Sequence, residues 1–113
     1  MHSKSPEAVL RDMLRHIDLA GHFLSGFDFP TFRDDLRTVL AVTRCLEIIS
    51  EASRRIPDDL KARHPTIEWK RMAAAGNVYR HNYEDVEARY VWETARTALP
   101  PLRAVISQEL GES

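Results

Sequence analysis

The stretch TFRDDLRTVLAVTRCLEIISEASRR, residues 31–55, decides the fold. Phe32, Leu36, Val39, Leu40, Thr43, Leu46 and Ile49 recur at intervals of three and four, and Ile56 extends the series. That period draws one stripe along a helix and is incompatible with a strand, whose faces alternate every second residue. Thr31 reads as the N-cap, with Asp34 three residues on reaching back in a capping-box arrangement. Arg54 and Arg55 complement the negative end of the helix dipole, and Pro57 stops the helix. The expectation is one long helix of about seven turns. Glu47 and Glu51, one turn apart, project either into a groove or into water, and water is the simpler reading.

The same period continues on both sides. From Pro6 to Leu24, the residues Val9, Leu10, Met13, Leu14, Ile17, Ala20, Phe23 and Leu24 form another stripe, which Ser25 and Gly26 end. Asp58 to His64 reads as a short helical turn closed by Pro65. Thr66 then caps a third helix through Ile67, Trp69, Met72 and the alanines Ala73 to Ala75, weakened at Gly76 and Asn77. A fourth block, capped by Asn82 or Asp85, runs to Leu110 through Val86, Tyr90, Val91, Ala95, Leu99, Leu102 and Ile106. Pro100-Pro101 falls inside that pattern, so the helix is expected to kink there. The alternative is a break, with Pro101 in the first turn of a fifth helix. No segment alternates as a strand does. The fold class is therefore all-α, an antiparallel helical bundle of four to five helices spanning residues 1–113 as one domain.

Composition agrees with that. The 113 residues carry a formal net charge of −1, with 43% hydrophobic and 29% charged content, which suits a folded globular chain. No apolar run approaches the roughly 20 residues that cross a bilayer, and Met1 to Arg11 lacks the apolar core of a signal peptide. The expectation is a cytoplasmic protein with no membrane association. Cys45, the single cysteine, reads as a small apolar residue inside a helix. Charge is uneven: Lys61 to His81 holds Lys61, Arg63, Lys70, Arg71 and Arg80 against Glu68 alone, a local balance of +4. Such a stretch attracts phosphates, although similar clusters also decorate inert surfaces.

Phosphate loops, nucleophile elbows and His-Glu-x-x-His patterns are absent, and no pair among His2, His16, His22, His64 and His81 has metal-site spacing. Neither a metal nor a cofactor is expected. The segment that concentrates chemistry is Gly76-Asn77-Val78-Tyr79-Arg80-His81-Asn82-Tyr83. Histidine moves protons near neutral pH, arginine grips a phosphate with a planar fork, and tyrosine and asparagine position a base or phosphate. Cleavage of RNA without a metal needs such a set. A base deprotonates the 2′-OH, and donors stabilise the charge on the attacked phosphate. On side-chain chemistry alone, the segment reads more simply as a helix-terminal turn that buries two Tyr rings and leaves Arg80 and His81 in solvent.

The segment also resembles the signature of HepT-like ribonuclease domains of the HEPN superfamily. That signature is an Arg, usually followed by Asn, then His four to six residues beyond the Arg, any residue, and Tyr. Asn77, His81 and Tyr83 match it. Further similarity lies in Arg44 to Ala52, in Pro65 to Trp69, and in Val91-Trp92 with Leu99-Pro100-Pro101-Leu102, so the resemblance covers nearly the whole chain. It implies an endoribonuclease toxin with His81 as general base or acid, and with Asn77 and Tyr83 positioning the substrate. It implies a homodimer whose two motifs share a cleft, and a nucleotidyltransferase antitoxin partner that adenylylates Tyr83. The signature's Arg falls on Gly76, a departure from the pattern, and the preceding alanines do not replace it. Arg80 is assigned as electrostatic stabiliser in its place, with Arg71 a further candidate. The alternative is a HEPN binding module without nuclease activity, docking a nucleotidyltransferase and a nucleotide or RNA.

Overall fold

The computed structural model describes residues 5–77 and 84–111, with the side chains of 84–86 excepted. Seven helices lie within the described residues: α1 (Pro6–Leu24), α2 (Phe29–Asp34), α3 (Leu36–Ser53), α4 (Asp58–Arg63), α5 (Trp69–Ala74), α6 (Glu84–Thr97) and α7 (Leu99–Glu109). The all-α expectation holds. α1 has the bounds its stripe predicts, with Ser5 accepting from the Ala8 N–H as N-cap and Gly26 leaving the helix at φ 86°.

The 31–55 block is divided where its periodicity gives no sign of it. Asp35 adopts extended geometry, φ −107° and ψ 90°, and its carboxylate accepts from the Thr38 N–H at 3.2 Å, capping α3. Because Phe32 and Leu36 keep a four-residue spacing across this joint, the apolar pattern runs through it unbroken. The expected cap at Thr31 is corrected as well. Asp28 is the N-cap of α2, and Thr31 is its capping-box partner: the Thr31 N–H donates to Asp28 at 3.0 Å and the Asp28 N–H donates to Thr31 Oγ1 at 3.1 Å. The Thr31 N–H and the Thr31 hydroxyl, which donates to the same carboxylate at 2.7 Å, hold the Asp28 carboxyl below its ordinary pKa. At the other end, the helix is interrupted at Ala98, so that Pro100 and Pro101 fall in the first turn of α7, where a missing N–H costs no intrahelical bond.

α1 packs most extensively on α3, and α6 and α7 complete the bundle. Met13 from α1, Phe32 from α2, Val42, Leu46 and Ile49 from α3, Val91 from α6 and Leu102 and Ile106 from α7 are fully buried. Cys45 lies in this core, and burial pushes its thiol pKa up, consistent with an apolar filler. Two members of the predicted stripe, Leu36 and Leu40, face solvent instead, at 66% and 58% exposure. No helix among the described residues is long and apolar enough to cross a membrane.

Candidate functional site

A helix of six residues has no independent stability, because nucleation is too unfavourable at that length. α5 is such a helix, and it is held by its neighbours. The Trp69 indole donates to the Lys61 and His64 carbonyls at 3.2 and 3.0 Å, fixing the start of α5 to the end of α4. Met72 is buried in the core. The last turn, whose carbonyls have no intrahelical partners, is clamped from two sides. Ser50 Oγ from α3 and the guanidinium of Arg54, the C-cap of α3, donate to the Ala73 carbonyl at 2.6 and 2.8 Å. From α6, the Tyr90 hydroxyl donates to the Ala75 carbonyl at 3.3 Å.

The clamp brings the chain against α3 at Gly76. A Cβ built there would lie 2.8 Å from Ser50 Cβ and 2.9 Å from Glu47 Cα. Its φ is not positive, so the glycine serves a close approach and not a turn. Position 76 therefore has no room for a side chain, and the absence of the signature Arg has a steric counterpart in the packing. Asn77 follows, exposed, with its N–H donating to the Ala74 carbonyl at 3.0 Å.

Asn77 and Gly76 lie on the wall of a groove of about 380 Å³ that α3 forms with α1 and the end of α5. Arg44, Glu47, Glu51, Arg54 and Arg55 line it, with Asp12 from α1. Glu47 and Glu51 line this groove and remain exposed to water, at 44% and 60%, so the two readings of them coincide. Arg44 pairs with Glu47 at 3.3 Å and Arg55 with Glu51 at 3.2 Å. Among the described residues, Arg54 has no carboxylate partner, and its bond to Ala73 leaves further guanidinium N–H groups unengaged. Arg71, the other candidate cation, lies on the opposite side of α5. It pairs with Glu68 at 3.1 Å and lines a second groove of about 400 Å³ with Tyr90 and Glu93.

Of the predicted site residues, Asn77 alone is described; Arg80, His81 and Tyr83 lie outside the described residues. Sequence reasoning missed Arg54, taking it only as a complement to the α3 dipole. Among the described residues no three His, Cys, Asp or Glu side chains converge as a metal site requires.

Comparison with known proteins bears on this geometry. The family model "Ribonuclease HepT-like" matches residues 13–109, from the core of α1 to the end of α7, with the groove and the 76–83 segment inside it. A protein of Thermococcus cleftensis named "Probable ribonuclease HepT" is 38% identical over 100 residues, covering 88% of this chain and 91% of its own. A Methanocaldococcus jannaschii protein named "Putative RNase" is 33% identical over 103 residues, covering 91% of this chain and 89% of its own. No solved structure gives a significant match. With the model spanning all but the ends of the helical bundle, the chain belongs to the HepT-like ribonuclease family.

Proposed function

We propose that this protein is a metal-independent endoribonuclease of the HEPN type, the toxin of a toxin–antitoxin pair acting in the cytoplasm. The observation that carries the reading is membership in a ribonuclease family across residues 13–109, with Asn77, His81 and Tyr83 retained at the spacing of its signature. His81 removes the proton of a ribose 2′-OH. The oxygen attacks the adjacent phosphorus, the P–O5′ bond breaks, and a proton passes to the leaving 5′ oxygen. Asn77 and Tyr83 position the phosphate or base, and Arg80 stabilises the developing charge. DNA has no 2′-OH and is not a substrate by this route.

The protein works as a homodimer whose two motifs share a cleft. Leu36 and Leu40, one turn apart and exposed on α3, support a self-association surface, since adjacent large apolar side chains in water favour burial. Tyr90 on α6, 42% exposed, is the other large side chain of this kind among the described residues. The antitoxin is a nucleotidyltransferase that transfers AMP from ATP to the Tyr83 hydroxyl, releasing pyrophosphate. The added phosphate then stands beside His81 and excludes the substrate phosphate by charge and volume.

A second reading, a nuclease-inactive module docking a nucleotidyltransferase and a nucleotide or RNA, is favoured by the glycine at 76, where no cation fits. One experiment separates the two. Purified protein is incubated with end-labelled RNA, with and without EDTA. Cleavage that survives chelation and falls at least about a hundredfold in His81→Ala supports the nuclease. Intact RNA together with retained transferase binding supports the module. After co-expression with an active transferase, Tyr83 should gain the mass of one or more AMP units, and recovery of unmodified Tyr83 alone removes the regulatory step.

A further inference from the structure

The geometry points to Arg54 as a phosphate-binding residue of this site, engaging a phosphodiester of single-stranded RNA in the groove beside Asn77. This rests on the ribonuclease reading and deepens it by naming where the nucleic-acid backbone is held. Three observations converge. First, the lead-in to Asn77 has no cation of its own: Ala73, Ala74 and Ala75 are uncharged, and Gly76 meets α3 too closely to carry any side chain. Among the described residues, a positive group for a phosphate on this wall comes from α3 and the turn after it, in addition to the Arg80 assigned above to the scissile phosphate. Second, α3 and the turn that follows it offer three guanidinium groups to the groove, and two are occupied, Arg44 by Glu47 and Arg55 by Glu51. Arg54 has no carboxylate partner among the described residues, so an anion reaching it displaces no ion pair. Third, Arg54 is oriented in advance. Its bond to the Ala73 carbonyl at 2.8 Å fixes one edge of the guanidinium, and Ser50, 2% exposed, braces the same carbonyl at 2.6 Å. A fork held in place loses less side-chain freedom on binding than a free surface arginine.

The groove as a whole is not a cationic funnel. Arg44, Arg54 and Arg55 face Asp12, Glu47 and Glu51, which balances formally at zero. Long-range attraction there is small, and Arg54 acts as a single docking point. Such a point has a measurable signature. Each phosphate neutralised on a single strand contributes about 0.7 to the slope of log K against log salt concentration.

The test measures binding of a fluorescein-labelled 2′-O-methyl oligouridylate, which keeps the phosphates and cannot be cleaved, across a salt series. Arg54→Gln is expected to weaken binding roughly tenfold at low salt and to reduce the slope by about 0.7, while Arg54→Lys keeps the slope. Ser50→Ala loosens the same carbonyl without removing a charge, so it keeps the slope too; a loss of slope there equal to that of Arg54→Gln would assign the effect to the clamp and overturn the proposal. Arg96→Gln, on α6 over the Trp92 ring and outside the groove, leaves both quantities unchanged. A wild-type slope in Arg54→Gln overturns the phosphate role and leaves the nuclease reading standing, as does a slope lost in Arg71→Gln instead. No binding by the wild-type protein overturns both.

Discussion

Replacing Gly76 with alanine adds one methyl group at the point where the end of α5 meets α3. At most exposed glycines this change stabilises by about 0.4–1 kcal/mol, because it restricts the unfolded chain. Here the methyl carbon would lie 2.8 Å from Ser50 Cβ and 2.9 Å from Glu47 Cα. Neither atom can rotate away, since one is backbone and the other is the first carbon of a buried side chain. The two helices must part by about half an ångström, at the roughly 1–3 kcal/mol typical of overpacking. Separation also stretches the 2.6 Å Ser50–Ala73 bond. The steric cost outweighs the entropic gain, leaving a net loss of about 1–2 kcal/mol and a fall in Tm of roughly 4–10 °C for a chain of this size. The assay is a thermal melt followed by far-UV circular dichroism, alongside RNA cleavage. Cleavage should fall more than stability does, because Asn77 moves with the displaced turn and small misplacements are costly to catalysis. Gly76→Arg, which restores the family signature, should be worse in both respects. A Tm for Gly76→Ala equal to or above that of the wild type would refute the close packing, as would cleavage restored by Gly76→Arg.

Glu109 in α7 receives two bonds from Arg63, at 2.8 and 3.2 Å, and lies 2.5 Å from His64 Nε2, tying α4 to the end of α7. These partners, Arg63 first, lower its pKa from 4.5 to about 2. A depressed carboxylate stabilises fully above its unfolded pKa, so the contribution should be intact above about pH 4.5 and fade as pH falls toward 2. Glu109→Gln should lower Tm at neutral pH, with the gap to wild type closing near pH 2 in acid melts; a gap independent of pH contradicts this. Ser50→Ala and Arg54→Ala share the Ala73 carbonyl as acceptor, so their effects on denaturant stability should be non-additive by about 0.5 kcal/mol or more. Simple additivity would mean that the clamp does not act as one unit. Asp28→Ala removes the α2 capping box and should cost about 1 kcal/mol in urea unfolding.

The parts of the fold that rest on local periodicity were legible in the sequence. α1 runs from Pro6 to Leu24 as its stripe requires, and the prolines at 100 and 101 mark the joint between α6 and α7. The joint at Asp35 was not legible, because a four-residue apolar spacing spans it and only the carboxylate's bond to Thr38 reveals the cap. The same holds for Leu36 and Leu40: a period identifies a stripe without saying what covers it. The resemblance names Asn77, and the structure sets it on the wall of the groove. The position of Arg54 on the same wall was not legible, since its partner Ala73 is 19 residues away and on another helix. Nor did the chain alone reveal why residue 76 is glycine, which depends on Ser50 and Glu47 arriving from α3.

The most direct measurement is the chemistry of the cut ends. Mass spectrometry of a short RNA after incubation with the protein in chelator should find 2′,3′-cyclic phosphate, or the 3′-phosphate that its hydrolysis gives, on one fragment and a free 5′-hydroxyl on the other, as attack by the neighbouring ribose oxygen requires. Fragments ending in a 3′-hydroxyl and a 5′-phosphate, or an RNA left whole, would contradict the account.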